Sequence, residues 1–170
     1  MGNRLKLQAT ATNIFRDPFL FVAFGFGSGL AKVGPGTAGT LLAIPMYWLL
    51  IQLSLPVYLL IVFIALLAGI WICDVASDRL GVHDHSGIVW DEIVGLWITM
   101  IAVPVSIPLV VLGFVLFRFF DIVKPWPISW LDQHVSGGFG IMIDDVLAAV
   151  FANVCLQALL YSGLLETVLQ

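Results

Sequence analysis

Residues 33–73 read VGPGTAGTLLAIPMYWLLIQLSLPVYLLIVFIALLAGIWIC, a run with no charged side chain, punctuated at Pro45, Ser54 and Pro56. A helix needs ~20 apolar residues to cross a bilayer, so the run is long enough for two crossings. The turn signals predict two membrane helices, near 38–53 and 57–73, joined by a tight turn. That reading decides the fold class, an all-α integral membrane bundle.

Composition supports it. Hydrophobic residues make up 61% of the 170-residue chain and charged residues 11%, with a mean hydropathy of +1.06. A soluble domain carries about a quarter charged residues. The length allows a single domain over residues 1–170, with the active groups on the bundle itself. Seven Lys and Arg against eleven Asp and Glu, a net charge of −4, exclude a phosphate-tracking nucleic-acid surface. Cys73 and Cys155 lie far apart in apolar runs and imply no disulfide framework. Asp17 and Pro18 interrupt the N-terminal apolar stretch and no small-residue cleavage site follows, so an uncleaved terminus is expected.

Outward from that run, loops rich in charge, Gly and Pro alternate with apolar segments. A polar loop is expected over Asp74 to Glu92, then an uncharged segment from Ile93 to Phe117 broken by Pro104 and Pro108. A second polar loop is expected from Arg118 to Gly140, before a last apolar run. Arg4, Lys6, Arg16 and Lys32 precede the first span, so the positive-inside rule places that end in the cytoplasm. For the charged groups to meet there, Ile93 to Phe117 has to be a second hairpin bent at the prolines. Its arms of about 15 residues would rise roughly 23 Å, short of a 30 Å hydrocarbon core. The expected architecture is two hairpins and a final membrane helix, with charged loops on the cytoplasmic face.

Three clusters carry the chemistry: Asp91-Glu92, Arg118-x-x-Asp121-x-x-Lys124 and Asp144-Asp145. Charge set against hydrocarbon is usually functional. Spaced every three positions, Arg118, Asp121 and Lys124 would share one side of a helix, two cations flanking a carboxylate. That arrangement suits a phosphate, with the acid helping to hold a metal. The bland alternatives are a snorkelling interfacial helix and acids that complement helix dipoles. Several carboxylates brought together resist ionisation unless a divalent cation sits among them, and oxygen-only ligands favour Mg2+.

These residues stand in longer strings: Gly27-Ser28-Gly29-Leu30, Gly34-Pro35-Gly36-Thr37-x-Gly39-Thr40, His83-Asp84-x-x-x-Ile88-Val89-x-Asp91-Glu92-x-x-Gly95, Phe117-Arg118-x-x-Asp121-x-x-Lys124-Pro125-x-Pro127-Ile128 and Gly137-Gly138-x-Gly140-Ile141-Met142-Ile143-Asp144-Asp145. In order, from about residue 24 to 153, they resemble the phosphatidylglycerophosphatase A family. The resemblance implies an inner-membrane, multi-pass, Mg2+-dependent phosphatase whose substrate is the phospholipid phosphatidylglycerophosphate and whose product is phosphatidylglycerol.

The expected mechanism is metal-assisted hydrolysis. Some of Asp91, Glu92, Asp121, Asp144 and Asp145 would hold Mg2+, Arg118 and Lys124 would neutralise developing charge, and one acid left off the metal would take the water's proton. His83 or His85 is a candidate to protonate the leaving glycerol oxygen, with an ordinary exposed loop histidine as the alternative. The Gly25 to Gly39 region, with Lys32 nearby, could form an amide nest for phosphate or simply pack small residues between helices. It is no Walker A loop, since Pro35 stands where lysine is required. Cys73-x5-Arg79 matches a cysteine-phosphatase spacing, but Asp74 and Asp78 inside it would repel the anion. The six tryptophans read as interfacial anchors or core, Trp126 with the further option of bracing a phosphate loop. A small transporter using the acids as an ion pathway is the runner-up, weakened by the clustering of charge toward one face.

Overall fold

The computed structural model describes residues 7–164; Arg4 and Lys6, used above for orientation, lie outside them. Among the described residues all regular structure is helical: α1 (Ala11–Arg16), α2 (Pro18–Ala23), a 3-10 segment (Gly25–Leu30), α3 (Pro35–Leu50), α4 (Leu55–Leu80), α5 (Trp90–Thr99), α6 (Ile107–Val123), α7 (Ile128–His134) and α8 (Gly137–Tyr161).

Asp17-Pro18 starts a helix. Pro18 occupies the first turn of α2, where no N–H is required, and the Asp17 carboxylate accepts from the Phe19 and Leu20 amides at 3.0 and 3.3 Å. The same carboxylate pairs with Arg79, whose guanidinium lies 4.7 Å from the centre of the Phe19 ring. Together they tie the short N-terminal helices to the end of α4.

The expected helices near 38–53 and 57–73 correspond to α3 and α4, with a correction at both. Helix α3 begins at Pro35, after Gly34 in the left-handed conformation (φ 57°), and tolerates Pro45 in its interior. Helix α4 does not stop at Cys73. Charge is no helix breaker, and α4 runs through Asp74–Leu80 until Gly81 (φ 66°), whose N–H bonds the Ser77 carbonyl at 2.8 Å. The expected loop of 74–92 is therefore confined to residues 81–89. The expected loop of 118–140 is likewise mostly helix: α6 continues to Val123, α7 follows, and α8 begins at Gly137. Pro108 does not bend a helix either. It lies in the first turn of α6, behind Ser106, whose hydroxyl accepts from the Leu109 amide at 3.3 Å.

Helices α4 and α8 are long and apolar enough to cross a membrane, with mean hydropathies of 2.6 and 1.9 over their best windows. Their 26 and 25 residues span about 39 and 37 Å, against about 24 and 25 Å for α3 and α6. The outer face of α4 leaves Leu60, Phe63, Ile64, Leu67 and Trp71 exposed, a row that water would not tolerate well and hydrocarbon would.

Helix α8 is the hub, packed against α4, α5, α6 and α7. Small residues make this close approach: a Cβ on Gly138 would strike the Ile70 carbonyl, and Ala148, Ala149 and Ala152 are buried against Phe117 and Ile128. Helix α5 is enclosed, and its polar groups are met by side chains from elsewhere. Tyr58 OH donates to the Trp97 carbonyl (2.6 Å), and Asn153 Nδ2 donates to the Thr99 and Ile101 carbonyls at 2.8 and 2.9 Å. Trp90 and Trp97 are core, each indole N–H donating to a carbonyl, of Ala65 and Ala43. Trp71, Trp126 and Trp130 are exposed and Trp48 is half-buried. Cys73 is fully buried beside Met142, 4.0 Å between the sulfurs, which removes it as a nucleophile.

Candidate active site

A cavity of about 340 Å³ opens where five elements meet. The start of α3 contributes Gly34, Pro35 and Gly36, and the 81–89 loop contributes Asp84, Ser86 and Ile88. Asp91 and Glu92 come from the first turn of α5, Arg118 and Asp121 from α6 with Lys124 as its C-cap, and Asp144 and Asp145 from α8. All three sequence clusters therefore share one cavity.

Their roles differ. One oxygen each of Asp91, Glu92 and Asp145 lies within 4.8 Å of the others, a grouping that could hold a hard cation. Asp91 Oδ1, Glu92 Oε2, Asp144 Oδ1 and Asp145 Oδ2 are buried with no hydrogen-bond partner. Six carboxylates face two cations here, and buried anions this close repel unless a cation neutralises them. The donor set is all oxygen and anionic, and it fits Mg2+.

Arg118 Nη1 lies 2.5 Å from Asp121 Oδ2 and 3.6 Å from Glu92 Oε1, linking α6 to the acid cluster. Lys124 departs from the expected shared helical side. It adopts the left-handed conformation (φ 44°) that ends α6, and its ammonium pairs with Asp132, at 2.6 Å, and with Asp144. Partial burial alone would lower its pKa, but the two carboxylates outweigh it and hold the ammonium well above its ordinary value. Lys124 thereby fixes Asp144 in place. Asp144 and Asp145 lie two turns inside α8, where dipole complementation has faded.

Three expected residues, Lys32, His83 and His85, are not on this cavity. Lys32 is exposed and outside the lining. His83 borders a smaller chamber of about 40 Å³ shared with Asp84, Asp132 and Asp144, and its Nε2 accepts from the Gly137 amide at 2.7 Å. With Asp74 Oδ1 accepting from the Gly138 amide at 2.9 Å, it caps α8 in place of Ser136. His85 Nδ1 accepts from the Gly87 amide at 3.0 Å, with its ring against Phe24. The small residues of the glycine-rich region mostly pack: Cβ atoms at Gly29 and Gly39 would strike the Gly87 carbonyl and Val89.

Gly36 is the exception. A Cβ there would meet Glu92 Oε1 and stand 3.1 Å from Arg118 Nη1. Since only flexible side-chain ends must move, Gly36→Ala is expected to leave the fold intact, displace Glu92 and reduce kcat roughly 10²-fold. Steady-state kinetics beside a thermal melt check this. Reasoning from sequence did not single out Asp84 as a lining residue and included Gly36 only within the Gly25 to Gly39 region offered as a phosphate nest, although both stand in strings quoted above. Their signal was adjacency, to Pro35 at a helix start and to His83 in a Gly-bounded loop.

Comparison with known proteins gives concordant results. The family model described as phosphatidylglycerophosphatase A matches residues 21–160. The chain is 47% identical over 137 residues to the Escherichia coli protein named phosphatidylglycerophosphatase A, covering 80% of each chain. It is 44% identical over 150 residues to the Haemophilus influenzae protein of the same name, covering 85% of this chain and 90% of that one. A Bacteroides thetaiotaomicron protein, provisionally named a phosphatidylinositol-3-phosphatase, is 40% identical over 148 residues, 81% of this chain and 91% of its own. No solved structure matches.

Proposed function

Since the chain belongs to the phosphatidylglycerophosphatase A family and is a phosphoric monoester hydrolase, we propose that it hydrolyses phosphatidylglycerophosphate to phosphatidylglycerol and inorganic phosphate in a Mg2+-dependent reaction. The observation that carries the reading is the convergence of Asp91, Glu92 and Asp145, with unpartnered buried oxygens, beside the Arg118 guanidinium in one cavity. A phosphomonoester is a dianion that acids alone would repel. The family's substrate chemistry, a hard cation and an arginine therefore belong together.

Bound by Asp91, Glu92 and Asp145, Mg2+ would polarise the phosphoryl group and offset its charge. Arg118, ion-paired with Asp121, would present its guanidinium to the non-bridging oxygens. Lys124 holds Asp144 against the cavity wall instead of meeting the substrate itself. The diacylglycerol portion lies among lipid, along apolar faces such as that of α4. We place the protein in the bacterial inner membrane as a multi-pass bundle with this cavity at the cytoplasmic face. Arg16 and the exposed Lys32 near the charged helix ends support that orientation. The transporter alternative is not favoured by the relatives, which are named as phosphatases.

The test is phosphate release by the full chain in detergent. Phosphatidylglycerophosphate is expected to be turned over with Mg2+ present, activity to vanish in EDTA, and added Mg2+ to restore it. Phosphatidylinositol 3-phosphate, assayed in parallel because of the third relative, is expected to be the poorer substrate. No release from phosphatidylglycerophosphate at any Mg2+ concentration sinks the reading.

A further inference from the structure

We propose that Asp84 is the base that takes the proton of the attacking water, an inference that rests on the phosphatase reading above. Of the six carboxylates on the cavity, five are engaged. Asp91, Glu92 and Asp145 converge on one another, Asp121 sits on Arg118, and Asp144 on Lys124. An oxygen shared with a cation has given up much of its capacity to accept a proton. Asp84 is different: it is exposed, on the 81–89 loop, with no hydrogen bond or ion pair among the described residues. The other neighbouring acceptors are occupied, Asp132 by Lys124 and His83 Nε2 by the Gly137 amide.

The second observation is spatial. Asp84, Ile141 and Asp144 border both the large cavity and the 40 Å³ chamber, whose wall also holds His83 and Asp132. A water needs roughly 10–15 Å³ and a few polar partners, and the chamber offers both. When a phosphoryl headgroup fills the larger space, the chamber remains a polar place for water beside Asp84. In the step, the water oxygen bonds to phosphorus as the bond to the glycerol oxygen breaks. One water hydrogen stays on the new P–O–H and the other passes to Asp84. The leaving glycerol oxygen takes a proton from bulk water, and the hydroxide so formed recovers the one held by Asp84.

Wild type, Asp84→Asn and Asp84→Ala are compared on phosphatidylglycerophosphate with Mg2+, and Mg2+ affinity is measured by titration calorimetry. Both variants are expected to lose roughly 10²–10⁴-fold in kcat with KM and Mg2+ affinity unchanged, and acetate to restore part of the Asp84→Ala rate but not that of Asp91→Ala. Wild-type kcat in either variant, or a loss that tracks weakened Mg2+ binding, overturns the assignment. A wild-type chain that releases no phosphate removes the phosphatase reading instead, and that arm is read before any substitution.

Discussion

Asp145→Asn is expected to lower kcat/KM about 10³-fold, and to do so without unfolding the protein. Asp145 Oδ2 is buried, has no hydrogen-bond partner, and faces Asp91 and Glu92 across the cavity. Removing one anionic ligand from a three-carboxylate set forfeits transition-state stabilisation of several kcal/mol, and about 4 kcal/mol is a thousandfold in rate. Stability should move the other way. In EDTA the wild type holds mutually repelling carboxylates, so neutralising one relieves the folded state and the variant should melt higher. Adding Mg2+ should raise the melting temperature of the wild type, because the ion binds the folded chain alone, and should barely move the variant. Thermal melts with and without Mg2+, beside kinetics, check both halves. Full activity in the variant would eliminate the cation site described here.

Arg118→Lys is expected to be nearly as damaging as Arg118→Ala, each costing about 10³-fold in kcat. A stabilising arginine on a transferring phosphoryl group is worth roughly that much, and lysine cannot reproduce a planar fork serving Glu92, Asp121 and a phosphate together. If Asp121 acts on the substrate through Arg118, as proposed, the double variant Arg118→Ala/Asp121→Asn should be hardly worse than Arg118→Ala. The cycle should return a coupling on the order of 1–3 kcal/mol. Additive losses would mean that Asp121 acts independently, as a ligand or base in its own right.

The acids were legible because they break an apolar background. Asp91-Glu92, Arg118, Asp121 and Asp144-Asp145 stand out in any reading of the chain, and their strings carry the family resemblance. Helix ends were less legible. Charge at Asp74, Asp78 and Arg79 suggested a loop, yet α4 runs past them to Gly81 because backbone conformation, not polarity, ends a helix. The spacing of Arg118, Asp121 and Lys124 implied a common helical side, whereas the left-handed turn at Lys124 sends that ammonium to Asp132 and Asp144. Asp84 was not singled out, and Gly36 was read only as part of the Gly25 to Gly39 region, because adjacency in sequence does not say what a residue faces. His83 was noticed as a candidate acid, and its Nε2 accepts from the Gly137 amide at the start of α8.

The sequence by itself determined that this is an all-helical chain with an apolar exterior, that its charge is concentrated in three places, and that its motifs belong to one phosphatase family. These follow from composition and from order along the chain, which need no knowledge of packing. Only the tertiary structure decided how the acids divide: three facing one another, two tied to cations, and Asp84 unengaged beside a water-sized chamber. Which groups stand within a few ångströms of a carboxylate depends largely on how elements distant in sequence pack, and α8, lying against four other helices, carries Asp144 and Asp145 into that meeting.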